Sequence, residues 1–348
     1  MAILIMPTSN NTSHSAWDPH NETRSADDAE FARLRALPWF KRLRLYLRQR
    51  FPLAQHGILI FSYFSANQFL AQTVTAGDGP MVYNAISWLN FFMLLCLFFH
   101  LRVFDEHKDR EKDVAAYPDR LLSRGVFRYR DLWRLGLLAI ALEALIAFIA
   151  GPAALLTWLL VLGWSLLMYR EFFIGNWLCK HVFLYAVTHT TIMFGFDLLI
   201  WSVTTGRWFW ETDPIFIVYA FNGVFIAFTF EFARKLRPPE DEHDQVDSYS
   251  KTLGPRRAAL MVFGVMAAAT ACTAWVGYRL NFPMLFHLML LILLAFGSIG
   301  VLCFHRNPTR KNAKLVALTS SLHIISFDFC LVAFLIARHG LRVSLFTL

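Results

Sequence analysis

Asp105, Asp109 and Asp113 recur at every fourth position of a 348-residue chain, and Glu106 precedes Asp109 by three. On a helix this spacing draws the carboxylates into one stripe. Like charges stacked in that way repel, so the stripe calls for cations. Hard divalent ions such as Mg²⁺ take oxygen ligands and bind through a few carboxylates plus substrate phosphates. Taken alone, the run reads more plainly as a solvated charged helix, because Lys108, Arg110 and Lys112 interleave with the acids. A second run shifts that balance. Glu231, Arg234, Lys235, Arg237, Glu240, Asp241, Glu242, Asp244 and Asp247 gather further along the chain. Carboxylates for a metal, beside Arg and Lys for phosphate oxygens, form the combination a diphosphate needs.

The elements that must position these runs are set by composition. Hydrophobic residues make up 56% and charged residues 17%, with 34 Phe. That is too few charges for a soluble globular domain, where about a quarter is usual. Several stretches reach the roughly 20 apolar residues that cross a bilayer. The expectation is an all-α, multi-pass membrane protein with nine transmembrane helices, near 56–76, 81–104, 132–150, 153–169, 178–203, 214–235, 256–277, 283–304 and 315–337. Ahead of them, residues 1–30 read as a mobile polar tail. Residues 31–51 read as a basic amphipathic helix at the membrane surface, broken near Pro38: Phe31, Leu34, Leu37, Phe40, Leu43 and Leu47 recur at steps of three and four. Residues 52–348 form the nine-helix domain. The opening Met1–Met6 is apolar but short and lacks a basic flank, so no signal peptide is expected.

Charge placement orients the bundle. Lys108, Arg110, Lys112, Arg120, Arg124, Arg128 and Arg130 crowd the second-to-third loop, and Arg306, Arg310, Lys311 and Lys314 the eighth-to-ninth. Thr73–Pro80 has no basic residue, and two of the other loops on that side carry only Arg207 and Arg279. The positive-inside rule then puts the N-terminus in the cytoplasm and the C-terminus outside, in a bacterial-type cell membrane. Both acidic runs fall on the cytoplasmic face. The net charge of +8, from 33 basic and 25 acidic residues, follows these loops and implies lipid and an anionic substrate rather than nucleic acid. Five cysteines without a CxxC pair read as small buried residues, and the glycosylation matches at Asn10, Asn11 and Asn21 as chance.

With these residues in place, the chain resembles the UbiA superfamily of intramembrane prenyltransferases. That family has nine transmembrane helices and aspartate-rich motifs after the second and sixth. Its first motif, N-D-x-x-D-x-x-x-D, is matched by Asp105-Glu106-x-x-Asp109-x-x-x-Asp113, then a basic stretch from Pro118 to Gly125. The second motif departs more: Glu231, Arg234 and Lys235 come before Glu240, Asp241 and Asp244, and Gly254 closes the run. Tyr169, Arg170 and Lys180 stand in the fourth-to-fifth loop, where the family places a Tyr and a basic residue against diphosphate.

The resemblance implies a Mg²⁺-dependent ionisation of an isoprenoid diphosphate donor and transfer of the prenyl group to a hydrophobic or aromatic acceptor. The implied metal ligands are Asp105, Glu106, Asp109, Asp113, Glu231, Asp241 and Asp244, with Asp109, Asp113 and Lys180 at the chemistry. Arg120, Tyr169, Arg170, Arg234 and Lys235 would bind donor. Polar residues inside spans are expensive there. Asn67, Gln68, Asn90, Glu143, His189, Asp197, Asn222, His323 and Asp328 are candidates for acceptor binding or proton removal, although interhelical hydrogen bonding is the commoner role. Asn67, His189 and Asn222 are the choices for the cavity. Two alternatives stand beside the transferase: a terpene cyclase on the same fold, and a non-enzymatic transporter or binding protein. A CDP-alcohol phosphotransferase is excluded, since no D-G-x-x-A-R occurs.

Overall fold

A computed structural model describes residues 29–242 and 248–344. Helix α1 covers 29–36 and α2 covers Trp39–Arg50, with Pro38 between them. Then come α3 (Leu53–Ala76), strand β1 (Met81–Tyr83), α4 (Ala85–Lys108), α5 (Arg110–Ala116), α6 (Tyr129–Ala150) and α7 (Pro152–Tyr169). The second half holds α8 (Gly175–Leu178), α9 (Val182–Thr190), α10 (Ile192–Thr205), α11 (Pro214–Arg234), α12 (Tyr249–Leu253), α13 (Pro255–Arg279), α14 (Met284–Arg306), α15 (Arg310–His339) and strand β2 (Leu341–Val343).

Local chemistry sets the helix ends. Pro152, Pro214 and Pro255 each open a helix, where a missing N–H is no loss. Asp213 caps α11 by accepting from Ile215 N at 2.7 Å. Gly206 ends α10 in the left-handed conformation at φ +69°.

Among the described residues, eight segments are long and apolar enough to cross a membrane: α4, α6, α7, α9 with α10, α11, α13, α14 and α15. The expected first span coincides with α3, whose 24 residues would reach about 36 Å at 1.5 Å each, but α3 is not among the eight, so the expected nine is not reached among the described residues. It falls short in apolarity because Ser62, Ser65, Asn67 and Gln68 are turned inward and buried. The expected second span begins four residues late, because residues 81–83 form β1 instead.

Strand β1 pairs in parallel with β2, Met81 against Leu341 and Tyr83 against Val343. The two strands therefore share one end of the bundle, which requires an even number of crossings between them. The eight segments, all between β1 and β2, satisfy that parity.

The chain divides into two compact units, one of residues up to 57 with 95–142, the other of residues 58–94 with 143–348. In the first, Tyr46, Val103, Leu122, Phe127 and Leu132 form a core. The core of the second includes Phe232, Tyr249, Val262, Met266, Val301, Phe304 and Val316, drawn from α11 to α15.

Candidate functional site

The first acidic run sits where α4 ends. Its acids lie on successive turns, but they have different fates. Glu106 is buried, and its Oε1 accepts from Arg50 Nε and from Arg102 Nη2, each at 2.6 Å. Asp113, on α5, holds Arg120 Nη1 at 2.6 Å through Oδ2, with Arg50 Nη2 at 3.6 Å from the same oxygen. The Arg120 guanidinium lies over the Tyr117 ring at 3.6 Å, which fixes its plane. Asp105 is half-exposed, with Lys108 Nζ at 3.5 Å. Asp109 stands at the joint between α4 and α5 and makes no ion pair among the described residues. Burial foremost, and then Asp105 and Asp113, push its carboxyl up, against Lys108 and Lys112.

The second run closes α11. Glu231 takes Arg234 Nη2 at 2.7 Å and Lys235 Nζ at 2.6 Å, the i,i+3 and i,i+4 neighbours a helix end allows. Lys235 also lies 5.8 Å from the Tyr249 ring. Asp241, in a short turn after Pro238, is gripped in bidentate fashion by Arg310, whose Nε is 2.8 Å from Oδ2. Asp244 lies outside the described residues.

The connection from α7 to α9 is unusual in its backbone. Glu171, Phe172 and Phe173 all have positive φ, between 47° and 59°, a conformation L-residues rarely adopt. Tyr169 and Arg170 stand at its start, the guanidinium 5.8 Å from the ring, and Lys180 is exposed at its end. His189, one helix on, stacks on Tyr185 at 4.0 Å and bonds its carbonyl at 2.9 Å. Asn67 and Asn222 are both fully buried, giving Nδ2 to Tyr63 O at 3.0 Å and to Thr273 Oγ1 at 3.4 Å.

Three residues that the sequence reading left out emerge here: Arg50, Arg102 and Arg310. Arg102 stands four residues before Glu106 and could have been found from that spacing. Arg50 and Arg310 are 56 and 69 residues from their partners, so no local pattern reveals them.

Whether Mg²⁺ fits depends on which carboxylates remain uncommitted. Glu106, Asp113, Glu231 and Asp241 each hold a cation of the chain itself. Among the described residues no three His, Cys, Asp or Glu side chains converge into a cage. Mg²⁺ needs no such cage, since it keeps waters and takes one or two carboxylates with substrate phosphates. Asp109, with Asp105 one turn before it and 3.5 Å from Lys108 Nζ, offers carboxylate oxygens of that kind.

No family model matches the chain, and no curated protein sequence does. Solved structures do. A UbiA homologue from Aeropyrum pernix K1 aligns with a TM-score of 0.57 at 15% identity, covering 81% of this chain and 97% of its own. A structure concerned with digeranylgeranylglyceryl phosphate synthase in membranes aligns at 0.56 and 14%, covering 85% and 99%. A UbiA homologue from Archaeoglobus fulgidus bound to DMAPP and Mg²⁺ aligns at 0.51 and 16%, covering 83% and 99%. At such identities the likeness is one of fold alone, which this chain shares with these UbiA homologues.

Proposed function

We propose that the chain transfers a prenyl group from an isoprenoid diphosphate to a hydrophobic or aromatic acceptor inside the membrane, with Mg²⁺. The observation that carries this reading is the stripe Asp105, Asp109 and Asp113, laced with arginines, in a fold shared with a homologue solved with DMAPP and Mg²⁺. Asp109 and Asp105 would hold the metal, which when bound lowers the charge of the leaving diphosphate.

The remaining work belongs to the chain's own side chains. Arg120, held in plane by Tyr117 and steered by Asp113, binds phosphate oxygens. Arg234 and Lys235 do the same from the end of α11, kept in place by Glu231. Tyr169, Arg170 and Lys180 contribute from the α7–α9 connection. The allylic C–O bond breaks, a bond forms from the acceptor, and the acceptor loses a proton. The aromatic side chains of the spans exclude water from the allylic cation and face it with π electrons. Asn67, His189 and Asn222 orient the acceptor.

Purified protein in detergent, given Mg²⁺ and labelled prenyl diphosphates of several chain lengths, should bind donor and release diphosphate. Asp109→Asn should lower turnover on the order of 100-fold, the usual loss when a group that stabilises developing charge is removed. Undiminished donor binding and turnover in Asp109→Asn would overturn the site, and no turnover with any donor and acceptor would overturn the activity.

A further inference from the structure

Two carboxyl groups lie inside the spans of the second unit, and neither belongs to the acidic runs. Asp197 on α10 and Asp328 on α15 are both 0% exposed. Each accepts from a tyrosine: Tyr63 OH donates to Asp197 Oδ1, and Tyr219 OH to Asp328 Oδ1 at 3.0 Å. The acids of the two runs that are ion-paired hold Arg or Lys. Among the described residues neither Asp197 nor Asp328 has any cationic partner. The titratable groups that bear on Asp197 are Tyr63 and Asp328; those that bear on Asp328 are Tyr219 and, more remotely, Tyr63. Helices α7 and α9, packed on α10, and α13 and α14, packed on α15, bring no charged side chain to bear on either acid among the described residues.

Each of these carboxyls and of the neighbouring amides keeps one oxygen without a partner. Four fully buried atoms have no partner: Asp197 Oδ2, Asp328 Oδ2, Asn67 Oδ1 and Asn222 Oδ1. All four are acceptors. The donors of the cluster are already used, by the two tyrosine hydroxyls and by Asn67 Nδ2 and Asn222 Nδ2. Asn67, whose Nδ2 donates to the Tyr63 carbonyl, also bears on the Asp197 carboxyl through its side chain. Gly223 leaves the carboxyl its room: a Cβ at that position would run into Asp197 Oδ2.

From two fully buried carboxyls that lack a cation and keep one unpartnered oxygen each, we infer that Asp197 and Asp328 are proton-binding groups within the bundle, each holding a proton as a neutral carboxylic acid. A proton on Asp197 removes one uncompensated charge while Oδ1 goes on accepting from Tyr63. A proton on Asp328 removes the second uncompensated charge from an interior where a bare carboxylate is very costly. The two halves share one pattern: a Tyr and an Asn three or four residues apart on one helix, and an Asp from another. The site shares Asn67 and Asn222 with the acceptor contacts proposed above but does not rest on the diphosphate chemistry.

Infrared absorption of the wild-type protein in detergent at about pH 6, where exposed carboxyls are ionised, tests this directly. A protonated-carboxyl C=O band should be present, and part of it should be lost in Asp197→Asn and part in Asp328→Asn. Glu143, buried against Trp158 Nε1 at 3.1 Å, can add a band of its own, so the wild-type-minus-variant difference decides. Asn keeps both a donor and an acceptor, so Asp197→Asn should melt close to wild type, while Asp197→Ala should melt well below it. No protonated-carboxyl band in the wild type would overturn the inference, as would a difference spectrum showing ionised carboxylate at these positions. Stabilisation of wild type by Na⁺ at constant ionic strength, lost in Asp197→Asn, would point instead to a cation site.

Discussion

At the scale of single residues, Glu106 and Asp109 divide the work of one motif. Glu106 is 2% exposed and carries two guanidiniums on one oxygen; Asp109 carries none. Removing the Glu106 charge leaves Arg102 buried and uncompensated and Arg50 with Asp113 alone at 3.6 Å, which costs about 3–5 kcal/mol for a broken buried pair. Glu106→Gln should therefore lower the unfolding free energy by about that amount in a denaturant titration in detergent. Asp109→Asn, which breaks no ion pair, should leave the unfolding curve close to wild type. If Glu106→Gln unfolds like wild type, the arginine clamp is not what holds that carboxylate. The four-residue spacing made the stripe legible in the sequence. Sequence spacing could not say which acids face phosphate and which face arginine, because that depends on Arg50, which arrives from another helix.

At the scale of elements, α2 shows what a hydrophobic period can and cannot say. The three- and four-residue steps predict a helix with an apolar face, and α1 and α2 are helices that break at Pro38. The period does not name what covers the face. Tyr46 is fully buried and stacks on Phe127 at 5.3 Å, in a core with Val103, Leu122 and Leu132, while Lys41, Arg44 and Arg48 point outward. Phe40, one turn from the helix start, is 63% exposed. Tyr46→Ala should destabilise the protein by about 3–5 kcal/mol, as for a large core aromatic, and Phe40→Ala should stay within about 0.5 kcal/mol in detergent. Equal, small effects would mean that lipid rather than protein holds the helix. Helix α3 makes the converse point. Gln68 Nε2 donates to Val82 O and to Ser87 Oγ, both at 2.9 Å, and Gln72 Nε2 donates to Val82 O. Polar residues that tie α3 to β1 and the start of α4 lower its mean hydropathy below that of the other spans, which is why length and pattern identified this helix and apolarity alone does not.

At the scale of the whole molecule, sidedness is set by where few charges are allowed. Connections rich in Lys and Arg alternate with connections nearly free of them, and the β1–β2 pair adds a constraint of a different kind, since it brings the α3–α4 connection and the segment after α15 to one end. Together they make one prediction about the α9–α10 span. Asn176 before it and Arg207 after it are both exposed and lie in connections of opposite charge character. In a background with the five native cysteines replaced, Asn176→Cys should be shielded from a membrane-impermeant thiol reagent applied outside intact cells. Arg207→Cys should be labelled, and so should Asp78→Cys beside β1, because the strand pair puts residue 78 an even number of spans from the C-terminal end. Labelling of Asn176→Cys alone would invert the whole bundle, since the basic loops bias every span the same way. Labelling of Arg207→Cys without Asp78→Cys would require an odd number of crossings between them, against the four of α4, α6, α7 and α9 with α10.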